Sequence, residues 1–206
     1  WMLHIAIGKP KLYSRLIKPI LEAIIALILF ILLIPVMVVL AIVIKCDSRG
    51  RIFYTQERVG KDGRKFTIMK FRTMVENAES LTGAVYAADN DPRITKIGRF
   101  LRKWRLDEIP QLVNVSKGDM GLIGPRPERE VFIREFEEKI PFYTQRLLVR
   151  PGLTGWAQVK FPYASSIEQT EEKLQYDLYY IKNMSFILDF VVFLKTIRVV
   201  LFGKGK

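Results

Sequence analysis

Histidine and cysteine are almost missing from this 206-residue chain, where His4 and Cys46 are the only ones. One cysteine excludes an internal disulfide and any multi-cysteine zinc or iron–sulfur site, as expected of a reducing compartment, and reads as a packing residue. One histidine, in the N-terminal stretch, leaves no basis for a serine–histidine triad, a histidine general base or a multi-histidine metal site. Acidic residues are also in deficit, with 21 Asp and Glu against 33 Lys and Arg for a net charge of +12. That balance calls for a polyanionic partner: nucleic acid, an anionic membrane surface or a phosphorylated substrate. No aromatic-rich nucleic-acid motif accompanies the charge, so nucleic acid is not an expected partner. Chemistry is left to carboxylates, Lys, Arg, Ser and Tyr. The chain opens with Trp1 before Met2 and has no signal-peptide layout, which suggests a fragment of something longer.

Between Ile20 and Ile44, twenty-four of twenty-five residues are apolar or proline, Glu22 being the exception. At ~1.5 Å per residue such a helix could cross ~30 Å of hydrocarbon. Pro35 removes a backbone donor and is expected to cut the segment into arms 20–34 and 36–44. Both flanks are basic, with Lys9, Lys11, Arg15 and Lys18 before it and Lys45, Arg49 and Arg51 after it. Since Lys and Arg gather on the cytoplasmic side, two basic ends suit a bent helix that enters and leaves one face; a spanning helix that tolerates proline also fits. The division expected is a basic flank over 1–19, a membrane hairpin over 20–44 and a catalytic domain over 45–206. A second apolar stretch, 186–202, carries Asp189, Lys195 and Arg198. It reads as a helix lying at the interface or packed on the domain.

In the soluble part, β-rich runs over 51–56 and 65–71 flank Gly60-Lys61-Asp62-Gly63, a hairpin pattern. Period two puts Phe66, Ile68, Lys70 and Arg72 on one face, an apolar face that turns basic at its end. Residues 74–91 read as a short helix and a loop ending in Asp89-Asn90-Asp91, a triplet that either binds a divalent metal or caps the next helix. In that helix Ile94, Ile97, Leu101 and Trp104 form an apolar stripe opposite Lys96, Arg99 and Lys103, with Arg102 on the flank. Asp107-Glu108-Ile109-Pro110 then opens another helix, with Ile109, Leu112 and Val113 turned inward. Capping alone explains two acids at a helix start; the basic helix before them and the Gly/Pro/Arg stretch after them favour chemistry. That stretch, 118–127, ends with Arg126 between two prolines, a planar fork on a stiff backbone suited to phosphate. Arg150-Pro151-Gly152 repeats the device.

The ordered set Lys70-Phe71-Arg72-Thr73-Met74, Leu106-Asp107-Glu108-Ile109-Pro110-Gln111-Leu112, Gly118-Asp119-Met120, Gly124-Pro125-Arg126-Pro127 and Arg150-Pro151-Gly152-Leu153-Thr154-Gly155 resembles the monotopic phosphoglycosyl transferases, the bacterial sugar transferases. The resemblance runs from about Arg15 to the C-terminus. It implies an α+β fold with a re-entrant membrane helix broken at Pro35, a small β-hairpin and several short helices at the membrane interface. It implies transfer of a sugar 1-phosphate from a nucleotide sugar, UDP-linked, to undecaprenyl phosphate, at the cytoplasmic face of the bacterial inner membrane. Asp107 would be the nucleophile, Glu108 its partner, both would hold Mg²⁺, and Lys70, Arg102 and Arg126 would bind phosphate; Arg72, at the basic end of its strand face, and Arg150, in its rigid turn, are further phosphate candidates from the residues themselves. A homodimer is compatible with it. Three features depart from the commoner pattern: Ile34 stands before Pro35 where small members often carry Ser, Val159-Lys160-Phe161-Pro162 follows Gln158, and the C-terminal segment looks like that of large exopolysaccharide-type members.

Two other functions compete. A metal-dependent glycosyltransferase using Asp89 and Asp91 would transfer a bare sugar and release a nucleoside diphosphate. A membrane-anchored basic module would bind anions in a salt-sensitive way without turnover.

Overall fold

A computed structural model of the chain describes residues 12–80, 83, 85, 91–161 and 166–202. A π-helical turn over Tyr13–Ile17 runs into α1, Lys18–Asp47, an apolar helix that contains Pro35 in its interior. By length and composition alone, this helix could cross a membrane. The proline does not end the helix as expected. One lost hydrogen bond does not unwind a helix whose two arms are both held by packing.

Those contacts lie on either side of Pro35. Ala26, Phe30 and Leu33 pack with Leu112, Val115 and Met120, while Met37, Leu40, Ala41 and Ile44 pack with Phe71 and Leu101. Most remaining α1 side chains, including Ile20, Ile24, Leu32 and Val39, are exposed. One stripe of the helix therefore belongs to the protein core, and the rest of its surface is apolar and uncovered.

The hairpin forms as expected: β1, Phe53–Val59, pairs antiparallel with β2, Lys65–Phe71, in register from Phe53 opposite Phe71 to Val59 opposite Lys65. The helix expected after Met74 is instead a turn over residues 76–80 among the described positions, and Met74 bridges to Ile94. α2, Lys96–Lys103, begins at Thr95, whose hydroxyl accepts from the Gly98 amide. Gly98 has to be glycine, because a Cβ there would stand 2.0 Å from the Thr73 carbonyl oxygen. The segment Leu106–Gln111 is a 3₁₀ turn that leads into α3, Leu112–Lys117.

The two glycine- and arginine-bearing stretches meet in space. β3, Gly121–Ile123, lies parallel to β4, Gly152–Thr154. α4 (Glu130–Lys139), α5 (Trp156–Lys160), α6 (Ile167–Asn183) and α7 (Phe186–Leu201) complete the fold. A core of Phe132, Phe136, Ile140, Tyr143, Leu174 and Leu178 joins α4 to α6. α7 buries Asp189 and Val192 but exposes Phe186, Ile187, Phe190, Leu194 and Leu201. Cys46, expected to pack, is exposed.

Candidate active site

Leu106–Gln111, with Pro110 inside it, is a 3₁₀ turn and not the α-helix expected to open at Asp107, and Arg105 before it adopts φ 54°, a left-handed backbone. Neither acid serves as a side-chain cap: the N-cap position is Arg105, with no capping hydrogen bond. Asp107 and Glu108 are instead both buried, in the wall of a cavity of about 940 Å³.

Their environments differ sharply. Glu108 Oε1 receives Lys70 Nζ at 2.9 Å and Arg126 Nη2 at 2.7 Å, while Oε2 stands 3.6 Å from Arg105 Nη1. Burial alone would raise the Glu108 carboxyl; Arg126, Lys70 and Arg105 outweigh it and hold the group well below the ordinary glutamate range. Asp107 accepts no hydrogen bond from any described residue and faces the cavity. Burial, reinforced by the charge of Glu108, pushes its carboxyl above the ordinary aspartate range, with Lys70, Arg102 and Arg126 pulling the other way. The dyad is thus one neutralised carboxylate and one bare carboxylate.

Lys70, Arg102 and Arg126 all line this cavity beside Asp107, and Arg102 Nε is fixed on Thr73 Oγ1 at 2.9 Å. Arg72 has a different occupation. Its guanidinium donates to the carbonyls of Arg49 and Ser48 and to Ser48 Oγ, so it clamps the end of α1, although its side chain also borders the cavity. Arg150 is exposed beside Gly118 and does not line the cavity. Strand alternation predicts a face, not the target of a long side chain, and neither assignment could be corrected from sequence. Asp91 is buried against Arg93, which pulls its carboxyl down to about 2, and Asp89 lies outside the described residues.

Sequence reasoning missed Arg105 and a buried group at the cavity's other end, where Arg146 Nη2 donates to Asp177 Oδ2 at 2.8 Å and Glu128 meets Lys173 and Arg58 at 3.5 Å. One signal was available: Asp177 falls in the apolar stripe of α6 with Leu174, Leu178 and Ile181, and an acid in such a stripe needs a buried partner.

The cavity has two ends. One is bordered by α2 and by Arg51, just past the end of α1. The other is bordered by α4, α6 and Tyr143, whose core contains no α1 residue. Among the described residues no group of three or more His, Cys, Asp or Glu could hold a metal. Glu108 is taken up by cations, which leaves Asp107. A single carboxylate together with the oxygens of a bound diphosphate suits Mg²⁺, which keeps several non-protein ligands.

The family profile of the bacterial sugar transferases matches residues 13–203, and the chain belongs to that family. Among its curated relatives is the UDP-N-acetylgalactosamine-undecaprenyl-phosphate N-acetylgalactosaminephosphotransferase of Aeromonas hydrophila, 50% identical over 90% of this chain and 43% of the relative. The UDP-glucose:undecaprenyl-phosphate glucose-1-phosphate transferase of Escherichia coli is 36% identical over 90% of this chain and 40% of its own length. A putative undecaprenyl-phosphate N-acetylgalactosaminyl 1-phosphate transferase of Bacillus subtilis is 50% identical over 64% of this chain and 73% of its own. The chain thus spans less than half the length of the first two.

Proposed function

We propose that the chain transfers a sugar 1-phosphate from a UDP-sugar to undecaprenyl phosphate, releasing UMP, through a covalent aspartyl-phosphosugar on Asp107. The observation that carries this reading is the asymmetry of the dyad: a bare buried carboxylate on the wall of a cation-lined cavity, next to one already neutralised. An Asp107 oxygen attacks the sugar-proximal phosphorus, the phosphorus–oxygen bond to UMP breaks, and the sugar phosphate becomes an acyl phosphate. A phosphate oxygen of the lipid then attacks the same phosphorus, the bond to Asp107 breaks, and the carboxylate is restored. Lys70, Arg102 and Arg126 stabilise the charge on the diphosphate. Glu108 holds Lys70 and Arg126 in place before the donor arrives. Asp107 and the donor oxygens would hold Mg²⁺, which would supply further neutralisation of the charge that builds on the departing UMP.

The same reading makes α1 a re-entrant membrane helix. It is supported by the contacts that both arms make with one catalytic domain and by the basic residues at both ends. The exposed apolar face of α7 then lies at the same lipid surface, and the active site opens on the cytoplasmic side. A protease added to that side of sealed vesicles should reach both flanks of α1, whereas protection of one flank would establish a spanning helix.

The central test incubates the protein with UDP-sugars and undecaprenyl phosphate and identifies the nucleotide released. N-acetylgalactosamine comes first, since two relatives at 50% identity carry it in their names. UMP release, with a mass increase of one sugar phosphate on the intact chain before acceptor is added, is the expected result. UDP release would favour a glycosyltransferase instead, and transfer with no adduct would remove the covalent step.

A further inference from the structure

Most cations that line the cavity are already matched by carboxylates of the chain. Lys70, Arg105 and Arg126 meet Glu108, Arg93 meets Asp91, and Arg146 meets Asp177. Arg51 and Arg99 are different: both line the cavity, both are exposed, and neither side chain makes a hydrogen bond or ion pair with any described residue.

Their position gives this spare charge a direction. Arg99 is on α2, whose Ile97 and Leu101 pack with Met37, Leu40, Ala41 and Ile44 of α1. Arg51 follows the end of α1, and Phe71 belongs both to that packing cluster and to the cavity wall. Next to Arg99, Phe100 is 52% exposed, and Trp104 stands 6.5 Å from it with Lys103 Nζ over its indole at 5.8 Å. Aromatic and cationic side chains together on an exposed face are the composition of a membrane interface. One end of the cavity therefore offers two arginines held by no hydrogen bond or ion pair, with the Glu76 carboxylate close by at Gly50, beside an apolar, interface-like surface; the other end, toward α4 and α6, offers charge already paired and no α1 contact.

We infer that Arg51 and Arg99 form the acceptor subsite, where they bind the phosphate of a phosphomonoester whose long apolar chain runs over α2 and the C-terminal arm of α1. The nucleotide sugar then occupies the α4/α6 end, and its diphosphate meets the acceptor at Asp107. This assignment rests on the proposed transfer for its meaning, but its binding test does not. Two unmatched arginines attract any phosphate; the exposed aromatic surface beside them selects one that carries a lipid.

The test is equilibrium binding of undecaprenyl phosphate in detergent micelles to the full chain and to an Arg51→Gln/Arg99→Gln double variant. Because both side chains are exposed and unpartnered, the variant should keep the wild-type melting temperature. Its affinity for the lipid phosphate should fall about ten-fold, and its affinity for UDP-N-acetylgalactosamine should stay within about two-fold. Arg51→Lys/Arg99→Lys, which keeps the charge, should recover most of the loss. Equal loss for both ligands, loss for the donor alone, or no loss would overturn the assignment. Displacement of the lipid by inorganic phosphate at matching concentration would overturn the lipid selectivity. Where transfer is observed, the double variant should raise the KM for the acceptor and not that for the donor. A wild-type protein that binds lipid phosphate as expected but transfers nothing would count against the reaction, not against the subsite.

Discussion

Two buried ionic clusters differ in whether a charged side chain is left without a partner. In the first, Lys18 Nζ reaches Glu22 at 2.9 Å, Asp189 at 2.7 Å and the Tyr180 hydroxyl at 3.0 Å. Tyr13 and Tyr180 donate to the two Asp189 oxygens, and Glu22 accepts from the Ile123 amide at 3.0 Å. One cation is shared by two acids there, and the acids' remaining contacts come from tyrosine hydroxyls and a backbone amide, so every charged side chain is held, and none of them lines the large cavity. This cluster staples α1 to α6, α7 and β3. In the second, around Glu108, the cations outnumber the acid they hold, and Asp107 stands bare beside them. Burial of charge therefore says little about role. A closed cluster fixes geometry, and a cluster that opens on a cavity with groups unmatched is prepared for a ligand.

The largest expected effect separates the two clusters directly. Asp107→Asn should lower UMP release by about 10³-fold or more, since it removes the proposed attacking group, while its melting temperature should not fall, because burial disfavours the charge it deletes. A loss of fold in this variant would erase the distinction. Asp189→Ala should do the reverse: it leaves Lys18 with Glu22 alone and should cost about 3 kcal/mol by denaturant unfolding in detergent, with the catalytic groups themselves intact.

Smaller effects sharpen the contrast within the dyad. Glu108→Gln should lower the melting temperature at neutral pH, because Lys70, Arg105 and Arg126 lose their counter-charge. The folded-state carboxyl of Glu108 lies below its usual 4.5, so its contribution is fully present above that value and is lost as pH falls through the folded pKa. The gap in stability between wild type and Glu108→Gln should accordingly narrow in acid. For Asp107 the shift is upward, so its ionised form is lost as pH falls through a value above the ordinary 3.8, and, if it attacks as proposed, the acid limb of the rate profile should lie correspondingly higher. The smallest effect is expected at Arg150. Exposed and outside the cavity, Arg150→Ala should change stability by about 0.5 kcal/mol or less and leave the KM for the nucleotide sugar unaltered.

Much of this site was legible in the sequence because its parts are local. The basic helix, the Asp107-Glu108 pair and Arg126 between prolines each announce themselves within a few residues, and five such blocks in order carried the family resemblance. The hairpin was legible for the same reason, from a glycine-bearing turn between two β-rich runs. Arg72 and Arg150 illustrate the limit. Both stand in arginine-bearing motifs beside phosphate candidates, yet Arg72 turns to the carbonyls that end α1 and Arg150 to the surface, and only the neighbours of a flexible side chain decide where it goes.

What the sequence by itself determined is the inventory: a long apolar helix with basic ends, an excess of cations, almost no sulfur or imidazole, and a pair of adjacent carboxylates. What the tertiary structure decided is the division of labour within it. Asp107 and Glu108 are neighbours with the same charge and nearly equal burial, and nothing in their order says which will be neutralised. Lys70 and Arg126 come to Glu108 from distant parts of the chain and Arg105 from three residues before it, and their convergence on one carboxylate leaves the other without an ion-pair partner among the described residues. Coulomb interactions act over a few ångströms of space, whereas sequence records only distance along the chain.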